Sequence, residues 1–265
     1  MKIEHISSSQ NPKIKLIHEL YETKGRKKHS LFIAEGFREI SMAYYSDYEL
    51  VYIFINENFI QKKDIEKFPF KDRIFYLIDN ELFSKISYRE NTEGIIAIFK
   101  TKTHKLEDIN LSNNPYIIVL EAIEKPGNIG AILRTADAVK ADAVIISNSI
   151  VDIYNPNAIR ASIGCIFTVP IAVCNNEEAI SWLKRNSINI YCAALENAKI
   201  YTSEDFTMPT AIVFGTESKG LTKTWLENSK SIIKIPMLGK IDSLNVSNSV
   251  AIISYEVLRQ RNFKA

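Results

Sequence analysis

Three short segments of this 265-residue chain each read as strand, glycine turn and helix and are rich in polar side chains. The segments are Pro126-Gly-Asn-Ile-Gly-Ala-Ile-Leu-Arg-Thr-Ala136, Ile212-Val-Phe-Gly-Thr-Glu-Ser-Lys-Gly-Leu221 and the stretch from Ile235 to Glu256. Their polar side chains include Asn128 and Arg134, Glu217, and Ser243 and Asn245. A guanidinium offers a planar fork of donors that fits phosphate or hydroxyl groups, and it stays protonated at ordinary pH. Ser243, Asn245 and Ser247 open a helix, where their side chains can cap orphan N–H groups or face a ligand. Five of only nine glycines, Gly127, Gly130, Gly215, Gly220 and Gly239, fall in these segments. In a chain that uses glycine so sparingly, this clustering predicts positive φ or close ligand approach at those points.

Other chemistries are poorly served. Gly127-x-x-Gly130 lacks the G-x-G-x-x-G and G-K-[ST] spacings of phosphate loops, so a nucleotide-binding α/β enzyme is a weak alternative. Cys165, Cys174 and Cys192 are odd in number and have neither C-x-x-C nor histidine spacing. They are expected to be reduced core residues, with no metal site.

The elements that must position the polar groups alternate along the chain. Strands are predicted near 116–121, 143–147, 167–173, 189–194, 210–214 and 231–235, with helices between, as in an α/β unit with a mostly parallel sheet. Residues 100–114 lose periodicity and read as a linker. Before it, strands at 31–35, 50–55, 73–78 and 94–99 and helices at 37–45, 57–67 and 80–86 make a smaller α/β unit. At its start Asn11 is a helix cap and Pro12 the first helical residue, followed by Ile14, Ile17, Leu20 and Tyr21 at helical spacing.

Together the three segments resemble, in order and spacing, the motifs of the SpoU (TrmH) family of RNA ribose 2′-O-methyltransferases, within the SPOUT superfamily. The match covers about residues 115–261, and Ser243-Leu-Asn-Val-Ser247 with the Ala-Ile-x-x-Tyr-Glu helix is its most specific part. The resemblance implies a SPOUT domain over 115–265 with a trefoil knot, and S-adenosylmethionine as cofactor. It implies Arg134 as clamp of ribose or phosphate and as acceptor of the 2′-hydroxyl proton, with Asn128 steadying it. Glu217 and Asn245 would hold neighbouring loops, and Ser243 the loop or the ribose. Gly215, Ile235, Met237 and Leu244 would cradle the cofactor, with simple core as the alternative for Ile235 and Leu244. It also implies a homodimer through the last helix, where Val246, Val250, Ile253 and Val257 form a stripe that Ile252 and Leu258 widen.

The pattern Ile6-x-Ser-x-x-Asn-Pro-x-Ile-Lys15, with the later Phe32-x-x-Glu-Gly-x-Arg38, is similar to the substrate-binding domain that precedes many SpoU enzymes. That similarity implies RNA recognition by residues 1–100, before a linker at 101–114. Net charge is only +2, but residues 1–30 hold seven Lys or Arg against three Asp or Glu. The candidate RNA contacts are therefore Lys24, Arg26, Lys27, Lys28 and Arg38, with a solvated turn as the alternative for the basic run. The N-terminal domain favours ribosomal RNA over tRNA, and a catalytically silent RNA-binding protein is the remaining rival. Three positions depart from the family: Lys125 for Asp, Lys140 for Gly, and Glu93 for the Gln of Pro-Gln-Gly. The polar start and the absence of a long apolar run predict a cytoplasmic protein without membrane contact.

Overall fold

A computed structural model of the chain describes residues 2–58, 68–88, 93–216 and 219–264. The chain divides into two compact units, 1–103 with 152–168, and 104–151 with 169–265.

The first unit is built on a mixed sheet of order β1-β4-β3-β5-β2, comprising β1 (Lys2–Ile6), β2 (Leu31–Glu35), β3 (Leu50–Asn56), β4 (Ile74–Ile78) and β5 (Ile95–Lys100). β1, β4 and β3 run parallel, while β5 is antiparallel to both β3 and β2. The helix Pro12–Tyr21 begins as its sequence dictates, with the Asn11 side chain accepting from Lys13 N at 2.9 Å. Its Ile14, Ile17 and Leu20 enter the core with Ile33, Phe54, Ile78 and Ile98. The helix Phe37–Tyr45 starts where Glu93 Oε2 accepts from Phe37 N at 2.8 Å, so the carboxylate that departs from the family serves that helix end. Of the helix expected over 57–67, all but 57 and 58 lies outside the described residues, as do Asn91 and Thr92.

Residues 152–168 belong to this unit rather than to the second domain in which the sequence reading places them. Tyr154 and Phe167 stack on Phe32 at ring separations of 4.5 and 5.6 Å. Asp152 pairs with Arg26. The segment forms the short helices Pro156–Ser162 and Cys165–Thr168, turning between them at Ile163 (φ 53°) and Gly164 (φ 87°). A Cβ at Gly164 would stand 2.5 Å from Met42 Sδ. Residues 167–168, expected to open a strand, therefore end a helix, and the strand begins at Ile171.

The second unit carries a seven-stranded, all-parallel sheet of order β10-β12-β9-β11-β6-β7-β8. Its strands are β6 (Tyr116–Glu121), β7 (Ala143–Ser147), β8 (Ile171–Cys174), β9 (Asn189–Ala193), β10 (Lys199–Ile200), β11 (Thr210–Phe214) and β12 (Ser231–Lys234). β6, β7 and β11 are buried at every residue, as expected of parallel strands covered on both faces. One face packs the helix Asn176–Arg185, with Trp182, Leu183 and Trp225 in the core. The helices Pro126–Ala138 and Val246–Gln260 pack against each other. The expected linker is anchored here too: Leu106 is in the core, His104 O accepts from Val173 N, and Asp142 Oδ1 accepts from Ser112 N.

Candidate cofactor and catalytic site

The functional segments meet at the C-terminal ends of the parallel strands, where open α/β sheets place their ligand sites. A cavity of about 550 Å³ opens there, floored by Phe214 and Ile233 and bounded by the loops that follow β9, β11 and β12. Gly215, Ile235, Met237 and Leu244 all line it. They are half-buried, so Ile235 and Leu244 are cavity wall rather than closed core. Glu196, Asp242, Lys219 and Lys234 are also among the lining residues, a set of charges suited to a ligand bearing both signs. The volume lies within the roughly 300–1,000 Å³ typical of small-molecule and cofactor sites.

The loop after β11 is a tight reversal. Thr216 and Gly220 exchange backbone hydrogen bonds of 3.2 and 3.0 Å, and Lys219 N donates to Thr216 Oγ1. A Cβ at Gly215 would meet Gly220 O at 2.2 Å, and Gly220 itself has φ 65°. Thus Gly220 meets the expectation of positive φ, whereas at Gly215 what comes close is the backbone of Gly220 rather than a ligand. Gly127 and Gly130 have no positive φ: both are ordinary helical residues in Pro126–Ala138. Gly239 has open space where its Cβ would lie and no positive φ.

Asn245 answers both readings of its segment. Its Oδ1 caps the helix Val246–Gln260 by accepting from Ser247 N at 3.0 Å and Ser247 Oγ at 2.6 Å. Its Nδ2 donates to Asn128 Oδ1 at 3.3 Å, joining the first and third segments across 117 residues. Ser243 lines the cavity, and its Oγ donates to Asp242 Oδ1 at 3.1 Å. Arg134 is exposed, with no ion pair or hydrogen bond among the described residues. Six helical residues carry it about 120° round and about 9 Å along the axis from Asn128. The structure thus brings together Asn128 and Asn245 but leaves Arg134 with a separate approach from the solvent side. Glu217 lies outside the described residues.

Among the candidate RNA contacts, Arg26 requires correction. It is 2 % exposed, donates to the carbonyls of Leu20 and Tyr21 and to Thr23 Oγ1, and pairs with Asp152. All three guanidinium nitrogens are engaged inside the protein, so Arg26 is a buried structural residue of the first unit rather than an RNA contact. Lys24, Lys27, Lys28 and Arg38 are exposed, and Lys28 pairs with Glu19 at 2.9 Å on the surface. The basic run is the helix Thr23–His29, not a turn.

Sequence reasoning passed over Glu121, Thr222 and the loop after β9. Glu121 closes β6 as a buried carboxylate with 2 % exposure. A lone acidic residue ending an apolar strand was the available signal. The cysteines form no disulfide; Cys192 is in the core as expected, but Cys165 and Cys174 are only half-buried, and burial pushes the Cys174 and Cys192 thiols up to about 12.

Residues 115–255 match the model of the SpoU rRNA Methylase family, and residues 11–97 match the MRM3-like substrate binding domain. The chain is 26 % identical over 255 residues to the 23S rRNA (guanosine(2553)-2'-O)-methyltransferase RlmP of Bacillus subtilis, covering 96 % of this chain and 99 % of that one. It is 30 % identical over 177 residues to the 23S rRNA (uridine(2479)-2'-O)-methyltransferase of Streptomyces viridochromogenes, 63 % of this chain and 60 % of that one. Among solved structures, a crystal structure of an RNA 2'-O ribose methyltransferase superposes with a TM-score of 0.84 at 34 % identity, covering 98 % of this chain and 100 % of that one. An AdoMet-bound rRNA methyltransferase from Sinorhizobium meliloti gives 0.87 at 26 % identity, over 97 % and 98 %. With the sheet, the cavity and the three polar segments all in one unit, the chain belongs to the SpoU rRNA methylase family.

Proposed function

We propose that this protein transfers a methyl group from S-adenosylmethionine to a ribose 2′-hydroxyl of ribosomal RNA, with the 23S molecule as the substrate that the relatives' activities suggest. The observation that carries the reading is the meeting of a two-signed cavity with the Asn128–Asn245 pair and Ser243 at the ends of one parallel sheet. The cofactor, when bound, supplies an electrophilic sulfonium methyl. Gly215, Ile235, Met237 and Leu244 would hold its adenosine by backbone and apolar contact. Arg134 orients the ribose or its phosphate by its planar fork; to accept the 2′-hydroxyl proton, its second role, it would first have to give up its own proton. Asn128 and Asn245 fix the first and third segments to each other, and Ser243 and Glu217 complete the loops. Alignment of two reactants in this way is worth roughly 7–11 kcal/mol in favourable cases.

The division of labour follows the family models. Residues of the first unit, including Lys24, Lys27, Lys28 and Arg38, recognise RNA, and the second unit performs transfer. The trefoil knot and a cytoplasmic location belong to the same proposal; among the described residues no helix is long and apolar enough to cross a membrane. So does a homodimer through the last helix. Its Val246, Val250, Ile253 and Val257 are buried in their own chain, while Ile252, Leu258 and the 49 %-exposed Tyr255 remain for a second copy. Light scattering should give a dimer at micromolar concentration, and a monomer would remove this part. Mapping 2′-O-methylation in total RNA with and without the gene tests the whole. The loss of one 23S ribose methyl supports the reading, and an unchanged ribosomal pattern rejects it.

A further inference from the structure

We propose that Glu121 is a positioning residue for the cofactor loop, acting through Thr222. The inference rests on the cofactor reading above and deepens it. Glu121 ends β6, beside the β11 residue Phe214 from which the loop departs, since β6 and β11 are paired up to Leu120 and Phe214. From there its carboxylate reaches the other end of the loop. Oε2 accepts from Thr222 N at 2.9 Å and Oε1 from Thr222 Oγ1 at 2.7 Å, across 101 residues of sequence. Between the two anchors run Gly215, Thr216, Lys219, Gly220 and Leu221, all of which line the cavity.

The tether is charge-assisted and buried, the condition in which such hydrogen bonds are strongest and most costly to break. Oε1 also accepts from Asn176 Nδ2, which fixes the carboxylate against the start of the helix Asn176–Arg185. Thr222 lacks a side-chain bond to its own helix, Lys223–Glu227, so its hydroxyl is given to Glu121 instead of to a cap. A carboxylate placed merely to fill space at the end of an apolar strand would cost burial free energy for no return. Here it sets where the loop ends, and therefore the width of the cavity wall.

Asn176 Oδ1 is buried and has no partner among the described residues. That makes Glu121→Gln an informative conservative variant: the Asn176 amide can rotate so that Oδ1 accepts from the new amide, while the remaining oxygen keeps Thr222 N–H. The experiment is calorimetric titration of the full chain with S-adenosylhomocysteine, together with hydrogen exchange at the amides of residues 220–225. Loss of charge-assisted bonds should make Glu121→Ala bind about tenfold or more weakly and speed exchange by a similar factor, with Glu121→Gln within about threefold of the parent. Thr222→Val keeps the backbone bond to Glu121, deletes the hydroxyl's bond to Glu121 and its weak 3.4 Å contact from Asn176 Nδ2, and covers the case in which Glu121→Ala does not fold; it should lose about threefold in affinity. Leu183→Ala, a cavity two turns along the helix from Asn176, lowers the melting temperature and leaves affinity unchanged, which separates positioning from general destabilisation. Parental affinity in Glu121→Ala or Thr222→Val overturns the proposal, as does an equal loss in Leu183→Ala. A parent chain that fails to bind S-adenosylhomocysteine defeats the cofactor reading and this inference with it, whereas parental exchange rates in Glu121→Ala defeat the tether alone.

Discussion

At the scale of single residues, two arginines from basic or polar motifs have opposite fates. Arg134 stands in solvent with its fork unengaged among the described residues, as a group waiting for a ligand would. If it positions the ribose or phosphate, Arg134→Lys keeps the charge but loses the bidentate geometry. Both Arg134→Lys and Arg134→Ala should then slow single-turnover methyl transfer by about 100-fold or more, about 2.7 kcal/mol of transition-state stabilisation. Affinity for S-adenosylhomocysteine should stay at the parental value, because Arg134 is not part of the cavity lining. Near-parental transfer by Arg134→Ala would refute the role, and an active lysine variant would reduce it to charge. Arg26 is the reverse case. Truncating it leaves Asp152 without its partner, so Arg26→Ala should destabilise the chain by about 3 kcal/mol, lowering the melting temperature by roughly 6–12 °C. Replacing Lys24, Lys27 and Lys28 with Ala should barely affect stability, yet weaken RNA binding and flatten its salt slope by up to about 0.9 per lost phosphate contact. An unchanged salt slope in filter binding would leave the lysines as mere solvated surface. Nothing in the run Lys24-Gly-Arg-Lys-Lys28 marks its third member as buried, because the partner lies 126 residues away.

At the scale of elements, local signals were legible wherever they act locally. Asn11-Pro12 gave the first helix its start, and uninterrupted apolar runs gave β6, β7 and β11 within a residue. β1 was missed because Lys2-Ile-Glu-His-Ile6 is an edge strand with only Ile6 buried, so it lacks the apolar run that marks a central strand. The helix Pro156–Ser162 was legible in principle, since Asn155-Pro156 repeats the cap signal and Asn155 Oδ1 accepts from Asn157 N. What sequence could not supply was the outcome at Lys140. It ends the helix Pro126–Ala138 in the left-handed region at φ 52°, with Ala141 N returning to Ala136 O at 2.8 Å. A side chain with a Cβ is strained there by about 1–2 kcal/mol, and glycine is not. The departure from the family is thus a matter of helix termination. Lys140→Gly should stabilise the chain by up to about 1 kcal/mol after the entropy of the unfolded glycine is subtracted, raising the melting temperature by roughly 2–4 °C. Calorimetry showing a lower melting temperature would mean that the lysine side chain contributes contacts exceeding that strain.

At the scale of the whole molecule, the chain passes from the first unit to the second after residue 103, returns at 152 and leaves again after 168. The return is invisible to a reading that divides sequence into consecutive domains, because Tyr154 and Phe167 resemble ordinary core residues of the unit that surrounds them in sequence. Their partners are Phe32 and Tyr48, more than a hundred residues earlier. The consequence concerns the fragment 104–265. It retains every strand of the parallel sheet and every residue that lines the cavity, so it should fold and bind S-adenosylhomocysteine. It lacks Arg26, Phe32 and Tyr48, and burial of each aromatic partner is worth about 1.5–3 kcal/mol, so residues 152–168 lose the contacts that order them. Hydrogen exchange should show these residues protected in the full chain and unprotected in the fragment, with residues 116–121 and 210–214 protected in both. The same segment should loosen in full-length Phe32→Ala, where the cost of the deleted core ring is about 3–5 kcal/mol. Equal protection of residues 152–168 in the fragment and the full chain would show that the two helices are held from within the second unit, and that the stacking on Phe32 is a contact of convenience rather than what orders them.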